Sequence, residues 1–181
     1  MRHANTRLLF DYWTARRSGR VAPARADIAP DELEALMPRL FILRRMDRDH
    51  HVFRLAGETM RALHQRDLKD HNFLSLWRGH DRAHMSALIE GALGACAPAT
   101  ALAEARSMNG RSMPVEMAFL PLTGPEGYVD RCLGLYQPLA PGGLGGRPAV
   151  RHVLREVRPA AVGEPAFEAT AQADAFAAND L

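Results

Sequence analysis

The chain has 181 residues, enough for one well-buried core and too few for two domains of ordinary size. Its 23 Lys and Arg against 21 Asp and Glu leave a formal charge of +2, too balanced for an electrostatic nucleic-acid binder, and Lys69 is its single lysine. Two cysteines, Cys96 and Cys132, are too few for a disulfide framework or a zinc knuckle and fit a reduced, cytoplasmic protein.

No stretch reads as a signal peptide, because Asp11 and Arg16 interrupt the first apolar run. The longest apolar stretch, residues 85–99, contains Glu90 and Pro98 and is too short to span a bilayer, so no membrane association is expected.

In chain order, Asn5 and Thr6 can cap a first helix whose Leu8, Leu9, Tyr12 and Trp13 form one stripe. Two readings stay open. The helix lies against its own domain, or its stripe meets a partner protein or a second copy through Tyr12, Trp13, Arg16 and Arg17, residue types enriched at interfaces. Residues 20–29 are a polar connector, and Pro30 then opens a short helix with Asp31 and Glu32 in its first turn and Pro38 closing it.

Residues 40–46 and 51–56 read as two strands of an antiparallel hairpin, with residues 47–50 as the turn. Phe53 and Leu55, two apart, are expected on one face and Arg54 on the other. At Gly57 the period changes from two to helical, with Met60, Leu63 and His64 following. Gly57 is either a sharp bend or a plain strand terminator. Brief helical turns around Phe73, Leu74, Leu76 and Trp77 lead to the longest helix, residues 79–95, whose Met85, Leu88, Ile89, Ala92 and Leu93 form a broad apolar face.

Three strands follow, at residues 100–108, 112–122 and 128–137. Asn109-Gly110 predicts a two-residue hairpin with positive φ at both positions. Met113, Val115, Met117 and Phe119 alternate with Pro114 and Glu116, so one face of this strand is expected to be buried. Residues 139–148 have the composition of a flexible linker, and residues 151–158 read as a short helix or an extra strand. Beyond Pro159 there is no Lys or Arg, and the composition predicts disorder, with Phe167 and Phe176 leaving a docking role open. The element order gives an α+β class: an antiparallel sheet with helices against one face.

Several short motifs in this order resemble the PAS domain family, specifically bacterial single-domain PAS proteins with an N-terminal helical extension. They are LFDYW (residues 9–13 with Leu8), the segment from Asp27 to Pro38, FRLAG (Phe53 to Gly57), LSLW (Leu74 to Trp77) and RCLGL (Arg131 to Leu135). The resemblance covers roughly residues 5–139. It implies a five-stranded antiparallel sheet over a small pocket, preceded by N-terminal helices, and a role in signalling without catalysis. The expected organisation is an N-terminal extension at 1–38, a PAS-like domain at 39–139 and a linker with a tail at 140–181. Many PAS sequences carry a glycine where this chain has Asp70. The photoreactive flavin branch needs a cysteine in the same region, and this chain has none there, so flavin is not expected.

His80 and His84 have metal-gripping spacing but fall on the shoulder of the apolar face, where solvated histidines are expected, and neither a metal site nor haem follows. His64, Asp67, Asp70 and His71 form a polar cluster with no nucleophile, expected to be a solvated loop, and no enzyme is expected. Arg54 is expected to pair with Glu58 or Glu116, with anion binding as the second reading. The candidate pocket lining is Phe53, Leu55, Met60, Trp77, Met85, Leu88, Met117 and Phe119, and a filled core of the same residues would look identical in sequence. The leading expectation is a cytoplasmic sensory or regulatory protein without an effector domain, acting by contact with a protein partner or itself and not with nucleic acid. The alternative is a sensor of an unidentified small molecule in the cavity.

Overall fold

The computed structural model describes residues 2–159. Six strands form one wholly antiparallel sheet in the order β2-β1-β5-β4-β3-β6. They are β1 (Leu40–Asp47), β2 (His50–Ala56), β3 (Ala99–Ser107), β4 (Ser112–Thr123), β5 (Val129–Pro138) and β6 (Ala149–Pro159). The sheet is therefore one strand wider than the five expected. Residues 139–148, read as linker, turn through glycines with positive φ at 142, 143, 145 and 146, and Leu144 is buried in the core. Val150, Val153 and Val157 supply the β-branched character of the strand that follows. The tail beyond Pro159, with Phe167 and Phe176, lies outside the described residues.

Helices cover both faces. On one lie α2 (Glu58–His64), the 3₁₀ turn Phe73–Leu76 and α3 (Gly79–Ala95), which close a core over β1, β2, β4, β5 and β3. On the other lie α1 (Ala4–Arg17) and the 3₁₀ helix Pro30–Arg39, with Leu9, Trp13, Leu33 and Leu36 packed on Leu40, Ile42, Leu120, Leu122, Leu133 and Leu135. Both faces of β4 are buried as a result, where alternation alone predicted one.

The reason is Glu116. Its carboxylate, 2% exposed, points at the start of α1 and accepts hydrogen bonds from the Arg2 and His3 backbone N–H groups (2.6 and 2.9 Å) and from the Thr6 hydroxyl (2.7 Å). A negative group there meets the positive end of the helix dipole. The cap is His3, whose Nδ1 accepts from the Asn5 backbone N–H (3.1 Å), while Asn5 and Thr6, expected as caps, bond Gln137 and Glu116 across to the sheet.

Two glycines are fixed by close approach. A Cβ on Gly57 would come within 2.7 Å of the Met37 carbonyl oxygen and nearer still to that of Pro38, so the strand-to-helix bend needs glycine although its φ of −67° does not. Gly134 on β5 stands opposite Phe41, whose ring occupies the place of the missing side chain. At the β3–β4 hairpin only Gly110 has positive φ (83°). The Gly110 N–H bonds the Ser107 carbonyl and the Ser107 N–H bonds that of Arg111, a three-residue loop with a bulge rather than the two-residue turn expected.

Glu116→Ala is expected to cost about 2–4 kcal/mol, because it strands buried donors on α1; urea unfolding would measure the loss, and hydrogen exchange would show α1 amides losing protection ahead of α3. Gly57→Ala is expected to cost about 2–3 kcal/mol in the same assay, as overpacking against fixed backbone.

Candidate functional site: a filled aromatic core and a buried histidine pair

Seven of the eight residues read as pocket lining meet in one cluster under the helices: Phe53, Met60, Trp77, Met85, Leu88, Met117 and Phe119. Leu55 does not join them. It pairs with Ile42 while Phe53 pairs with Leu43, leaving Arg54 as an extra, unpaired residue in β2. That β-bulge breaks the alternation, so Leu55 packs on the opposite face with Ile42 and not beside Phe53.

The space these residues surround is occupied. Phe41 and Phe73, neither of them anticipated as lining, stack at 5.8 Å between centroids with their planes 16° apart. Phe53 and Phe119 meet Phe73 edge-on, each at 5.6 Å, and all four rings are fully buried. Such offset and edge contacts are the favourable geometries for aromatic rings.

At the β6 end of this core the lining turns polar. His64, the last residue of α2, and His152 of β6 lie with rings 5.4 Å apart, and Trp77 is 5.3 Å from His152. His64 was read as part of a solvated loop, but helix α2 turns it inward, away from Asp67, Asp70 and His71, which stay exposed. Its Nδ1 sits 3.1 Å from the Ala149 carbonyl oxygen, to which it donates. His152, 1% exposed, has Nε2 2.7 Å from the Tyr136 hydroxyl. Burial raises the Tyr136 phenol, so the hydroxyl keeps its proton and donates it to Nε2.

Three polar atoms of this group have no hydrogen-bond partner: His64 Nε2, His152 Nδ1 and Trp77 Nε1. Neither His152 nor Tyr136 carries a motif signal in the sequence: Tyr136 falls in an expected strand, and His152 in a segment that reads equally as a short helix or an extra strand.

A third buried histidine ties sheet to helix. His51 Nε2 lies 2.8 Å from Glu90 on α3, which also accepts from Arg45 Nε at 2.7 and 3.0 Å. Burial lowers His51, against the raising effect of Glu90. His80 and His84 are exposed, and among the described residues no group of three or more His, Cys, Asp or Glu is placed to hold a metal ion.

The residues read as an interaction surface are largely engaged within the fold. Trp13 is 2% exposed and its Nε1 donates to the Pro121 carbonyl (2.7 Å), so it is not free to meet a partner. The Tyr12 hydroxyl accepts from the Ala29 backbone N–H (2.8 Å), Arg16 pairs with Glu32 over the Tyr12 ring, and Arg17 lies over Trp13. The nearby connector bonds Pro23 to Thr123 and so extends this cover along β4. Arg54 pairs with Asp70 (2.7 Å) and not with Glu58 or Glu116. Asp70 itself has φ 62°, which accounts for the glycine expected there.

The buried pair has a consequence for acid stability. Burial, chiefly, lowers His64 to about 4 and His152 to about 3. In the unfolded chain both protonate near the ordinary value of about 6.5. Below that value the unfolded chain binds protons the fold refuses, so stability falls as pH drops from 6.5 toward 4 and then 3. The two together should remove on the order of 3 kcal/mol between about pH 7 and about pH 5. Urea unfolding at both pH values should show this loss, reduced by about half in His64→Leu.

The family model described as PAS domain matches residues 1–137, from the start of α1 almost to the end of β5. No curated protein matches. Among solved structures, a light-oxygen-voltage domain studied with a flavin analogue is 14% identical, with a TM-score of 0.47 over 61% of this chain and 84% of that one. The Rhodobacter sphaeroides LOV protein is 17% identical, with a TM-score of 0.47 over 64% and 71%. Vibrio cholera VqmA, in a complex with ligand and DNA, is 10% identical, with a TM-score of 0.48 over 64% and 53%. With the family match running through the N-terminal helix and the strands on either side of α3, this chain belongs to the PAS domain family of sensory signalling domains.

Proposed function

We propose that this protein is a PAS regulatory module that signals by contact with a protein partner, its interior serving as a rigid core. The observation that carries this reading is the filling of the interior by Phe41, Phe53, Phe73 and Phe119 at centroid spacings of 5.6–6.1 Å. A close-packed interior transmits strain between faces but gives a ligand no room.

A flavin does not fit this interior. Its ring system would compete for the space taken by Phe41, Phe53, Phe73 and Phe119; Cys96 caps the end of α3, and Cys132 is buried on β5 with its thiol raised by burial.

A second reading rests on the three unpartnered polar atoms of His64, Trp77 and His152. Buried polar groups are normally satisfied, and a small polar molecule or an ordered water among the three would satisfy them. In that case the protein senses a ligand at the β6 end of the core.

Phe73→Ala separates the two. In a solid core the substitution costs about 3–5 kcal/mol by urea unfolding, and the wild type carries no small molecule in native mass spectrometry. A loss under about 1 kcal/mol, or a stoichiometric co-purifying compound that disappears in His152→Phe, would overturn the rigid-core reading in favour of the second. The partner reading itself is tested by reciprocal co-purification at native expression level; recovery of the protein only as an isolated chain, with both its faces intact, would count against it.

A further inference from the structure

The β-bulge that expels Leu55 from the core has a second effect. By placing two successive residues on the outer face, it sets Arg54 and Leu55 side by side next to Ile42 and Arg44 of β1. There, at the end of the sheet beyond the cover of α1, they frame a groove of about 260 Å³ with Arg25 and Arg131. None of the six lining residues is acidic.

The charge in this groove is incompletely balanced. Arg44 and Arg131 stand directly opposite each other on β1 and β5, a like-charge pair that disfavours the sheet. One carboxylate serves both: Asp130 lies 3.8 Å from Arg44 Nε and 3.6 Å from Arg131 Nε, too far for a hydrogen bond to either. Arg44 Nε and Asp130 Oδ1 are both buried without a hydrogen-bond partner. Arg54 reaches outward to the exposed Asp70, and Arg25 has no acidic partner among the described residues. Arg25, Arg44 and Arg131 thus border a space together with Arg54, whose guanidinium is turned outward to Asp70, and the remaining wall is the half-buried Leu55 with the edge of the nearly buried Ile42.

We propose that this groove binds the anionic head, carboxylate or phosphate, of a small molecule whose apolar stem rests on Leu55 and the exposed edge of Ile42. Guanidiniums present paired N–H donors that match either head group, and the apolar wall accounts for a ligand larger than the anion itself. The site is on the face of the sheet opposite the aromatic core and goes beyond both readings given above.

Calorimetric titration of the purified protein with hexyl phosphate, hexanoate, inorganic phosphate and hexanol tests the assignment. Hexyl phosphate or hexanoate should saturate at one per chain, about ten-fold more tightly than inorganic phosphate, and hexanol should show no saturation. The comparison of the first two identifies the preferred head group. Arg44→Gln and Arg131→Gln should each weaken binding about ten-fold, with Arg61→Ala on α2 unchanged. Because each Gln variant relieves the cross-strand repulsion, its melting temperature should rise by about 2 °C, a readout that also shows it is folded. Wild-type protein that fails to saturate with either amphiphile, or a folded Arg44→Gln/Arg131→Gln double variant that binds as well as wild type, would overturn the proposal.

Discussion

The carboxylate of Glu116 sits on a central strand with almost no water around it, and it is satisfied only because α1 begins against it. Three donors, two of them backbone N–H groups at the mouth of the helix, converge on its two oxygens. An ionised group buried on a sheet without such partners would destabilise the fold severely. The bond therefore works in both directions, holding the helix to the sheet and making a charge on β4 tolerable. Much of the outer face follows from it: Trp13 is carried onto the Pro121 carbonyl, Tyr12 onto the Ala29 backbone, and the cover extends as far as β5. What stays open is the end of that face, at β2 and β1.

The opposite face is organised by aromatic packing. Gly134 matters here more than any large residue, since the absence of its side chain lets Phe41 lie flat on β5 and meet Phe73, Phe53 and Phe119. The family match ends at residue 137, and β6 lies past it. That strand both widens the sheet and brings His152 into the interior beside His64 and Trp77. The polar end of the core is thus built from α2, the Phe73–Leu76 turn and a strand beyond the matched region. Two structural layers of different standing meet at three unpartnered nitrogen atoms.

Much of this was legible in the sequence, for identifiable reasons. The 3.6-residue period from Met85 to Leu93 and the period-two pattern of β4 are long enough to survive local exceptions, so the α+β class and the antiparallel order follow from them. Asp70 was marked by standing where a glycine was expected, and it adopts the backbone conformation a glycine would. The bulge at Arg54 could not be read, because one inserted residue looks the same as regular alternation until the partner strand is known. Glu116 was hidden by a sound rule misapplied: charges on alternate positions usually face water, unless another element supplies their partners. His152 was missed because β6 has charged residues on its exposed side and only scattered burial, leaving no face for periodicity to find.

The strand order also constrains how the chain can assemble. β1 lies between β2, its neighbour in sequence, and β5, which is separated from it by both inner helices and a two-strand meander. Leu40 finds Leu135 only after nearly everything between them has been synthesised. Until then the first hairpin has one unpaired side, a row of backbone N–H and C=O groups on β1, so the nascent protein passes through an interval with an open sheet edge waiting for its last neighbour.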